Sequence, residues 1–165
     1  MKKVAIITRR AGYNMGTSLQ AFAVSKFIEN AGYPNKVIDY DEYSGHILWQ
    51  IRPKLNAFLL NILDIIPPIS RKICPSKYAK LRKSKKQMDK FSAFELQYLP
   101  LTKRRYSSLK SLQKDFTNLD ACICGSDQIW SPYFFDPAFF LSFISSTTTK
   151  KIAYAPSMGI TDEKL

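Results

Sequence analysis

The sequence predicts an α/β fold in which a parallel β-sheet is flanked by helices. Short apolar runs rich in β-branched residues alternate with helical patterns, which is typical of strands joined by helical crossovers. The three clearest runs each end in a loop of small or polar residues, as the strands of parallel sheets commonly do. The 165 residues are 45% apolar and 23% charged, which is the composition of one soluble globular domain.

The first 40 residues predict a β-α-β unit. "KVAIIT" (3–8) predicts a buried strand, and "KVIDY" (36–40) predicts a second strand. Between them, apolar residues at helical spacing predict an amphipathic helix over about 17–30. Thr17 and Gln20 match the T-x-x-Q capping box that opens many helices. The two strands are therefore expected to be parallel.

Residues 46–110 predict a basic helical insertion, because they lack strand alternation and are divided by prolines. Residues 71–110 contain 13 Lys or Arg against Asp89 and Glu95, a net charge of +11, whereas the rest contains 12 basic and 11 acidic residues, a net of +1. This stretch is either a solvated helix face or a docking surface for an anionic membrane or an acidic polysaccharide. We expect no nucleic-acid partner, because no helix-turn-helix, zinc-finger or RNP motif is present.

The end of the chain predicts two more strands. One ends at Cys124 and leads into "GSDQIW", and the other, 152–155, leads into Pro156 and Ser157. Residues 161–163, "TDE", predict the first turn of a helix. Because the chain stops inside that turn, we expect it to be the N-terminal part of a longer protein.

Cysteine and histidine usage predicts no metal site. The three cysteines include no C-x-x-C pair and His46 is the single histidine, so we expect neither bound zinc nor a disulfide framework. The N-terminus does not resemble a signal peptide, since only Val4 to Ile7 form a clearly apolar run. The cytoplasm is the expected compartment.

The loops that follow the strands should converge, because the carboxyl ends of parallel strands lie at one edge of the sheet, where ligands bind. Gly16 and Thr17, at a helix N-terminus, are either an anion contact or part of a cap. Asp127 can bind sugar hydroxyls or act as a general base, and it is the one catalytic candidate; its alternative role is an Asx turn or helix cap. The candidate substrate-binding residues are Asn14, Gly16, Thr17, Gly125, Ser126, Asp127, Gln128 and Ser157.

Two further side chains near this edge have ordinary explanations. Trp130 can stack on a sugar ring, but packing in the core is favoured. Asp39 ends the second predicted strand, and it is interpreted as a strand-end polar residue because no G-x-G-x-x-G fingerprint precedes it.

Three sequence blocks, in order, resemble one known family. "NMGTSLQAFAV" resembles the N-x-G-x-x-L-Q-A-[YF]-A loop and helix of the polysaccharide pyruvyl transferase family. The block that runs from "YSSLKSL" to "DACICGSDQIW" looks like that family's G-S-D-Q-x-W region, and "KKIAYAPSMG" is similar to its K-x-x-Y-A-x-S-x-G motif. The blocks fall within residues 3–40 and 103–159.

The resemblance implies a Rossmann-like sheet that forms the N-terminal lobe of a glycosyltransferase-B-like fold. It implies transfer of a pyruvyl group from phosphoenolpyruvate, without a cofactor, to a sugar or lipid-linked glycan acceptor in capsule or cell-wall synthesis. The reaction would take place in the cytoplasm, with peripheral contact to the inner face of the membrane as one interpretation of the basic segment. The donor-site cations and the catalytic acid are expected in a second lobe, so residues 1–165 alone should be inactive.

Two alternatives remain open. One is a nucleotide-sugar glycosyltransferase of the same architecture, whose donor contacts would lie in the missing half. The other is a truncated relative that binds glycan without catalysis. The acceptor sugar and the ketal stereochemistry do not follow from the sequence.

Overall fold

The described part of the chain folds around one parallel β-sheet. The computed structural model describes residues 2–10, 14–41, 75–132 and 135–159, with only the backbone considered over 75–85. The strands are β1 (Val4–Ile7), β2 (Asn35–Tyr40), β3 (Leu101–Tyr106), β4 (Ala121–Asp127) and β5 (Lys150–Pro156). Their order in the sheet is β3-β2-β1-β4-β5, and each neighbouring pair is parallel. The predicted α/β fold with a parallel sheet is therefore confirmed.

Helices flank this sheet. The described helices are α1 (Met15–Asn30), α2 (Pro75–Tyr98), α3 (Leu109–Asp115) and a short 3₁₀ helix, η1 (Pro137–Phe140). No helix in the described ranges combines the length and the apolar character that crossing a bilayer requires.

Burial of both sheet faces explains why β1 is an unbroken apolar run. Val4 and Ile6 pack in the same layer as α1, whereas Ala5 and Ile7 pack in the opposite layer, which includes η1. The largest fully buried side chains of this opposite layer are Phe139, Phe143, Ile7, Ile38, Leu112 and Ile129. A central strand with two covered faces holds its carboxyl end, and the loop after it, in a fixed position.

Strand β3 was not predicted, since it falls inside the expected helical insertion over 46–110. Lys103, Arg104 and Arg105 are exposed in its middle, so the strand lacks an apolar run. Among the described strands it pairs only with β2, and it ends the sheet order there; charged residues are common at sheet edges because they discourage pairing with other chains. The segment 46–110 is thus not helical throughout.

The predicted capping box at the start of α1 is wrong. The N-cap is Asn14, whose side-chain Oδ1 accepts a hydrogen bond of 2.9 Å from the Gly16 N–H. Asn is among the preferred N-cap residues, so the helix begins at Met15 and Thr17 already lies inside it. The Gln20 side chain is consequently free of the helix start, and it contacts the loops after β1 and β4 instead.

Some predictions concern residues outside the described ranges. These are the single histidine, one cysteine, the first part of the insertion and the helix start near the end of the chain: His46, Cys74, 46–74 and 161–163.

Candidate functional site

Loops from three strands meet at the carboxyl edge of the sheet. The Thr17 hydroxyl, on α1 after β1, donates a hydrogen bond of 3.3 Å to Asp127 Oδ2 at the end of β4. The Ser157 N–H, after β5, donates to the Asp127 carbonyl at 2.9 Å, and the Trp130 N–H donates to the Ser157 carbonyl at 3.2 Å. The predicted convergence of these loops is therefore present. We call this edge, residues 14–17, 125–128 and 157, the rim.

Gly125 sits where the rim allows no side chain. Its φ is +124°, and a Cβ added there would lie 1.9 Å from the Tyr154 carbonyl oxygen on β5. Close approach of β4 and β5 therefore requires glycine at this position. The peptide bond that joins Gly125 to Ser126 is cis.

Asp127 has a backbone conformation that is uncommon for its residue type. Its φ is +114°, in the left-handed half of conformational space, which residues with a Cβ seldom occupy. Such conformations occur preferentially at ligand sites, where the surrounding contacts hold them. Here the contacts are the Thr17 hydroxyl, the Gln128 N–H at 2.7 Å from Asp127 Oδ1, and the Ser157 N–H on the Asp127 carbonyl.

The carboxylate of Asp127 lies against the first turn of α1, through its contact with Thr17. The N-terminus of a helix carries partial positive charge, and a carboxylate at that position offsets it. The carboxylate therefore occupies the place that an anionic ligand of this helix end would take. The rim presents an acceptor for hydrogen bonds from hydroxyl groups, and this acceptor carries a negative charge.

Gln20 joins the β1 and β4 loops from within α1. Its Nε2 donates to the Arg9 carbonyl at 2.8 Å and to the Thr8 hydroxyl at 3.0 Å, and its Oε1 accepts from the Ser126 hydroxyl at 2.8 Å. The Thr8 hydroxyl donates in turn to the Ser126 carbonyl at 3.1 Å. The hydroxyl and the carbonyl of Ser126 thus both form hydrogen bonds within the protein. Sequence patterns assigned Gln20 to a helix cap and did not single out Thr8.

A buried ion cluster lies beside the rim. Arg10 is only 10% exposed in its side chain, and it donates through Nη1 to Glu95 of α2 at 2.6 Å and through Nη2 to Asp39 of β2. Ser18 of α1 donates to Glu95 at 3.2 Å, and Arg105 lies 3.7 Å from Asp39. Two carboxylates thus offset the charge of Arg10. The cluster, which we call the clamp, therefore links the segment after β1 to β2 and α2. The sequence signal for it was the Arg pair directly after β1.

The eight predicted rim residues divide into two groups. Gly125 and Thr17 are buried or closely packed, and with Ser126 they hold the loops in place. Gly16 shapes the start of α1. The side chains that can reach a ligand are the exposed or partly exposed ones, Asn14, Asp127, Gln128 and Ser157.

Trp130 packs in the fold, as predicted. Its ring stacks on Phe140, with centroids 5.3 Å apart and planes 9° from parallel, and its Nε1 donates to the Phe139 carbonyl at 3.2 Å. The Gln128 side chain lies close against Gly159, since a Cβ on Gly159 would be 2.4 Å from Gln128 Cδ. The indole therefore serves packing, while the Gln128 amide stays exposed.

The cysteines of β4 are structural. Cys122 and Cys124 are buried free thiols, and desolvation by burial raises the pKa of Cys122 to about 12 and raises that of Cys124 as well. Since the thiolate is the nucleophilic form, neither side chain is poised for covalent chemistry. Among the described residues, no group of three or more His, Cys, Asp or Glu side chains is placed to hold a metal ion.

No protein-family model, no curated protein and no solved structure matches this chain. Function therefore has to follow from the rim and its surroundings.

Proposed function

We propose that this chain is the acceptor-binding lobe of a pyruvyl transferase, in which the rim binds the hydroxyl groups of a sugar. The observation that carries this proposal is the Asp127 carboxylate beside the first turn of α1. Phosphoenolpyruvate bears a phosphate and a carboxylate, and both would be repelled there. A sugar is neutral, and its hydroxyls can donate to a carboxylate and accept from amides, which the rim offers through Asp127, Gln128 and Asn14.

The proposed reaction needs little else from this lobe. One sugar hydroxyl adds to C2 of phosphoenolpyruvate while the methylene carbon takes a proton. The C2–oxygen bond to the phosphate then breaks, and a second hydroxyl adds to C2, closes the cyclic ketal and gives up its proton to the departing phosphate. Asp127 would hold the attacking hydroxyl and accept its proton. The cations for the donor and the acid for the methylene carbon are assigned to a second lobe, as the resemblance implies.

Ligand titration monitored by amide NMR tests the acceptor assignment. Neutral methyl pyranosides, phosphoenolpyruvate and uridine diphosphate are added separately to residues 1–165. We expect a pyranoside to shift the amide signals of Gln128 and Ser157, and neither anion to do so. Asp127→Asn should weaken that binding about tenfold, because a hydrogen bond to a charged group contributes about 1.5–3 kcal/mol.

The matched control is Asp89→Asn, the same change at an exposed position on α2, and it should leave pyranoside binding unchanged. A rim that responds to phosphoenolpyruvate and to no pyranoside would contradict the proposal. A response of the rim to uridine diphosphate would contradict the proposal as well, because a site for neutral sugar hydroxyls should not bind this anion.

A turnover assay tests the division of labour between lobes. Residues 1–165 with ¹³C-labelled phosphoenolpyruvate and a pyranoside acceptor should release no phosphate and form no ketal. Ketal formation by this chain alone would show that the donor site does not need a second lobe.

A further inference from the structure

The two halves of α2 differ in composition. Residues 75–90 contain seven basic residues and one acidic residue, Asp89, a net charge of +6. Residues 91–98, which we call the packed end of the helix, contain no Lys or Arg and include the aromatic residues Phe91, Phe94 and Tyr98. The basic residues of the first half are Lys77, Lys80, Arg82, Lys83, Lys85, Lys86 and Lys90.

The packed end attaches α2 to the fold. Phe94 and Tyr98 make edge-to-face contacts with Phe22 of α1, each with ring centroids 6.0 Å apart. Glu95 accepts from Arg10 at 2.6 Å and from Ser18 at 3.2 Å. These contacts hold this end of α2 against α1 and against the segment that follows β1.

The basic half extends beyond the carboxyl edge of the sheet. Strand β3 begins at Leu101, three residues after α2 ends, and it pairs parallel with β2, so α2 returns the chain to the amino edge of the sheet and runs in the same sense as α1. Because α1 begins at the rim and runs away from it, the part of α2 before Glu95 runs toward the rim and past it. At a rise of 1.5 Å per residue, Pro75 lies about 30 Å along the helix axis from Glu95.

Like charges are crowded in this extension. Lys80, Lys83 and Lys86 follow one another at three-residue spacing, and Lys90 follows Lys86 at four, which are the spacings at which helical side chains are neighbours. Such pairs repel one another and destabilise an isolated helix. Lys86, Asp89 and Lys90 are exposed, so no described part of the chain covers these charged side chains. A polyanionic surface would relieve the repulsion.

We propose that residues 75–90 of α2 dock on an anionic lipid bilayer. The charge matches the negative surface of such a bilayer, to which juxtamembrane basic segments are attracted. Tyr78, Leu81 and Met88 are interspersed among the basic residues, as in helices that lie at the boundary of headgroups and acyl chains. Further along the same helix, Leu96 is another exposed apolar side chain, at 76% exposure. The proposal does not depend on the chemistry at the rim.

Vesicle flotation tests the proposal. Residues 1–165 are floated with vesicles of phosphatidylcholine alone and with vesicles that also contain phosphatidylglycerol, at low and at physiological salt. We expect binding to the anionic vesicles only, weakened as salt screens the charges. A competition arm adds heparin or duplex DNA at the same ionic strength.

Two variants of equal charge locate the surface. Both carry four Lys→Gln changes, which lower the net charge from +12 to +8 and change helix propensity little. The first variant changes positions in the basic half, Lys80, Lys83, Lys86 and Lys90; the second changes exposed positions elsewhere, Lys36, Lys110, Lys114 and Lys151. The first should lose on the order of 100-fold or more in vesicle binding, since each basic residue near an anionic surface contributes severalfold.

The second variant should keep most of the binding, and circular dichroism should show both to be folded. Equal binding to neutral vesicles, or an equal loss in both variants, would overturn the proposal. Binding to heparin or DNA that displaces the protein from vesicles would overturn it in favour of a soluble polyanion.

Discussion

The rim and the basic half of α2 are built in opposite ways. The rim joins residues far apart in sequence: Thr17 and Asp127 are 110 positions apart, and Thr8 and Ser126 are 118 apart. The basic half of α2 is one continuous stretch of sequence, its basic residues follow one another closely, and Lys86 and Lys90 among them are exposed. The first region depends on exact tertiary contacts, and the second on the sum of its charges.

This difference predicts how each region responds to substitution. A change in the rim, or in the side chains that support it from beside, removes one member of a set of specific contacts, so it should lower the free energy of unfolding. The same change in the basic half of α2, or at another exposed site, should leave folding nearly unaltered, because exposed substitutions away from such contacts usually cost less than about 0.5 kcal/mol. Three pairs of variants test this contrast.

The largest effect is expected from Gly125→Ala. The new Cβ would lie 1.9 Å from the Tyr154 carbonyl oxygen at a φ of +124°, so both the β4–β5 contact and the backbone conformation must change. We expect a loss of about 4 kcal/mol or more in the free energy of unfolding, measured by urea denaturation. Gly32→Ala is the control: its φ is +86°, but no atom lies within 4 Å of the added Cβ. It should cost only about 1 kcal/mol for the left-handed conformation. Equal losses in the two variants would mean that conformation, and not close packing, sets the requirement for glycine in the rim.

The next largest effect is expected from Arg10→Met. This change leaves the carboxylates of Asp39 and Glu95 without their buried partner, and breaking a buried ion pair from one side costs about 3–5 kcal/mol. Arg104→Met is the control, since Arg104 is 58% exposed and its ion pair with Asp115 is on the surface. It should cost less than about 1 kcal/mol by urea denaturation. An Arg10 variant as stable as the Arg104 variant would show that the clamp does not hold α2 to the sheet.

The sequence predicted the sheet well where local pattern and tertiary structure agree. The strands β1, β2 and β4 are apolar runs because both faces of the sheet are covered where they lie. Strand β5 was also predicted from its apolar residues, although it ends the described sheet order and is exposed along most of its length. Strand β3 carries three exposed basic residues at the sheet edge, so its sequence lacks an apolar run. It forms because β2 offers an unpaired side, which is a tertiary cause.

The candidate site was predicted in position but only partly in detail. Parallel strands bring their carboxyl ends together, so the convergence of Asn14, Asp127 and Ser157 follows from topology. The roles of Gln20 and Arg10 do not, because a T-x-x-Q pattern and an Arg pair each fit several local structures. Which one forms depends on partners about 30 to 106 positions away in sequence, such as Asp39, Glu95 and Ser126. Whether the rim binds a sugar remains a proposal.

The smallest of the three effects is expected from Gln20→Leu. The change removes the partner of the Ser126 hydroxyl, the Thr8 hydroxyl and the Arg9 carbonyl, groups that are partly or fully buried. An unsatisfied buried polar group costs about 1–3 kcal/mol, and Thr8 keeps its bond to the Ser126 carbonyl, so we expect a loss of about 2 kcal/mol. Gln97→Leu makes the same change at an exposed position on α2 and should stay within about 0.5 kcal/mol of the parent chain. Pyranoside binding separates stability from positioning: the Gln20 variant, while still folded, should bind more weakly, because the segment that ends in Asp127 loses one of its two hydrogen bonds with α1 and keeps only the Thr17 bond. If the Gln20 variant is destabilised but binds as the parent chain does, Gln20 supports the fold alone, and the rim is less dependent on its long-range contacts than the comparison with α2 implies.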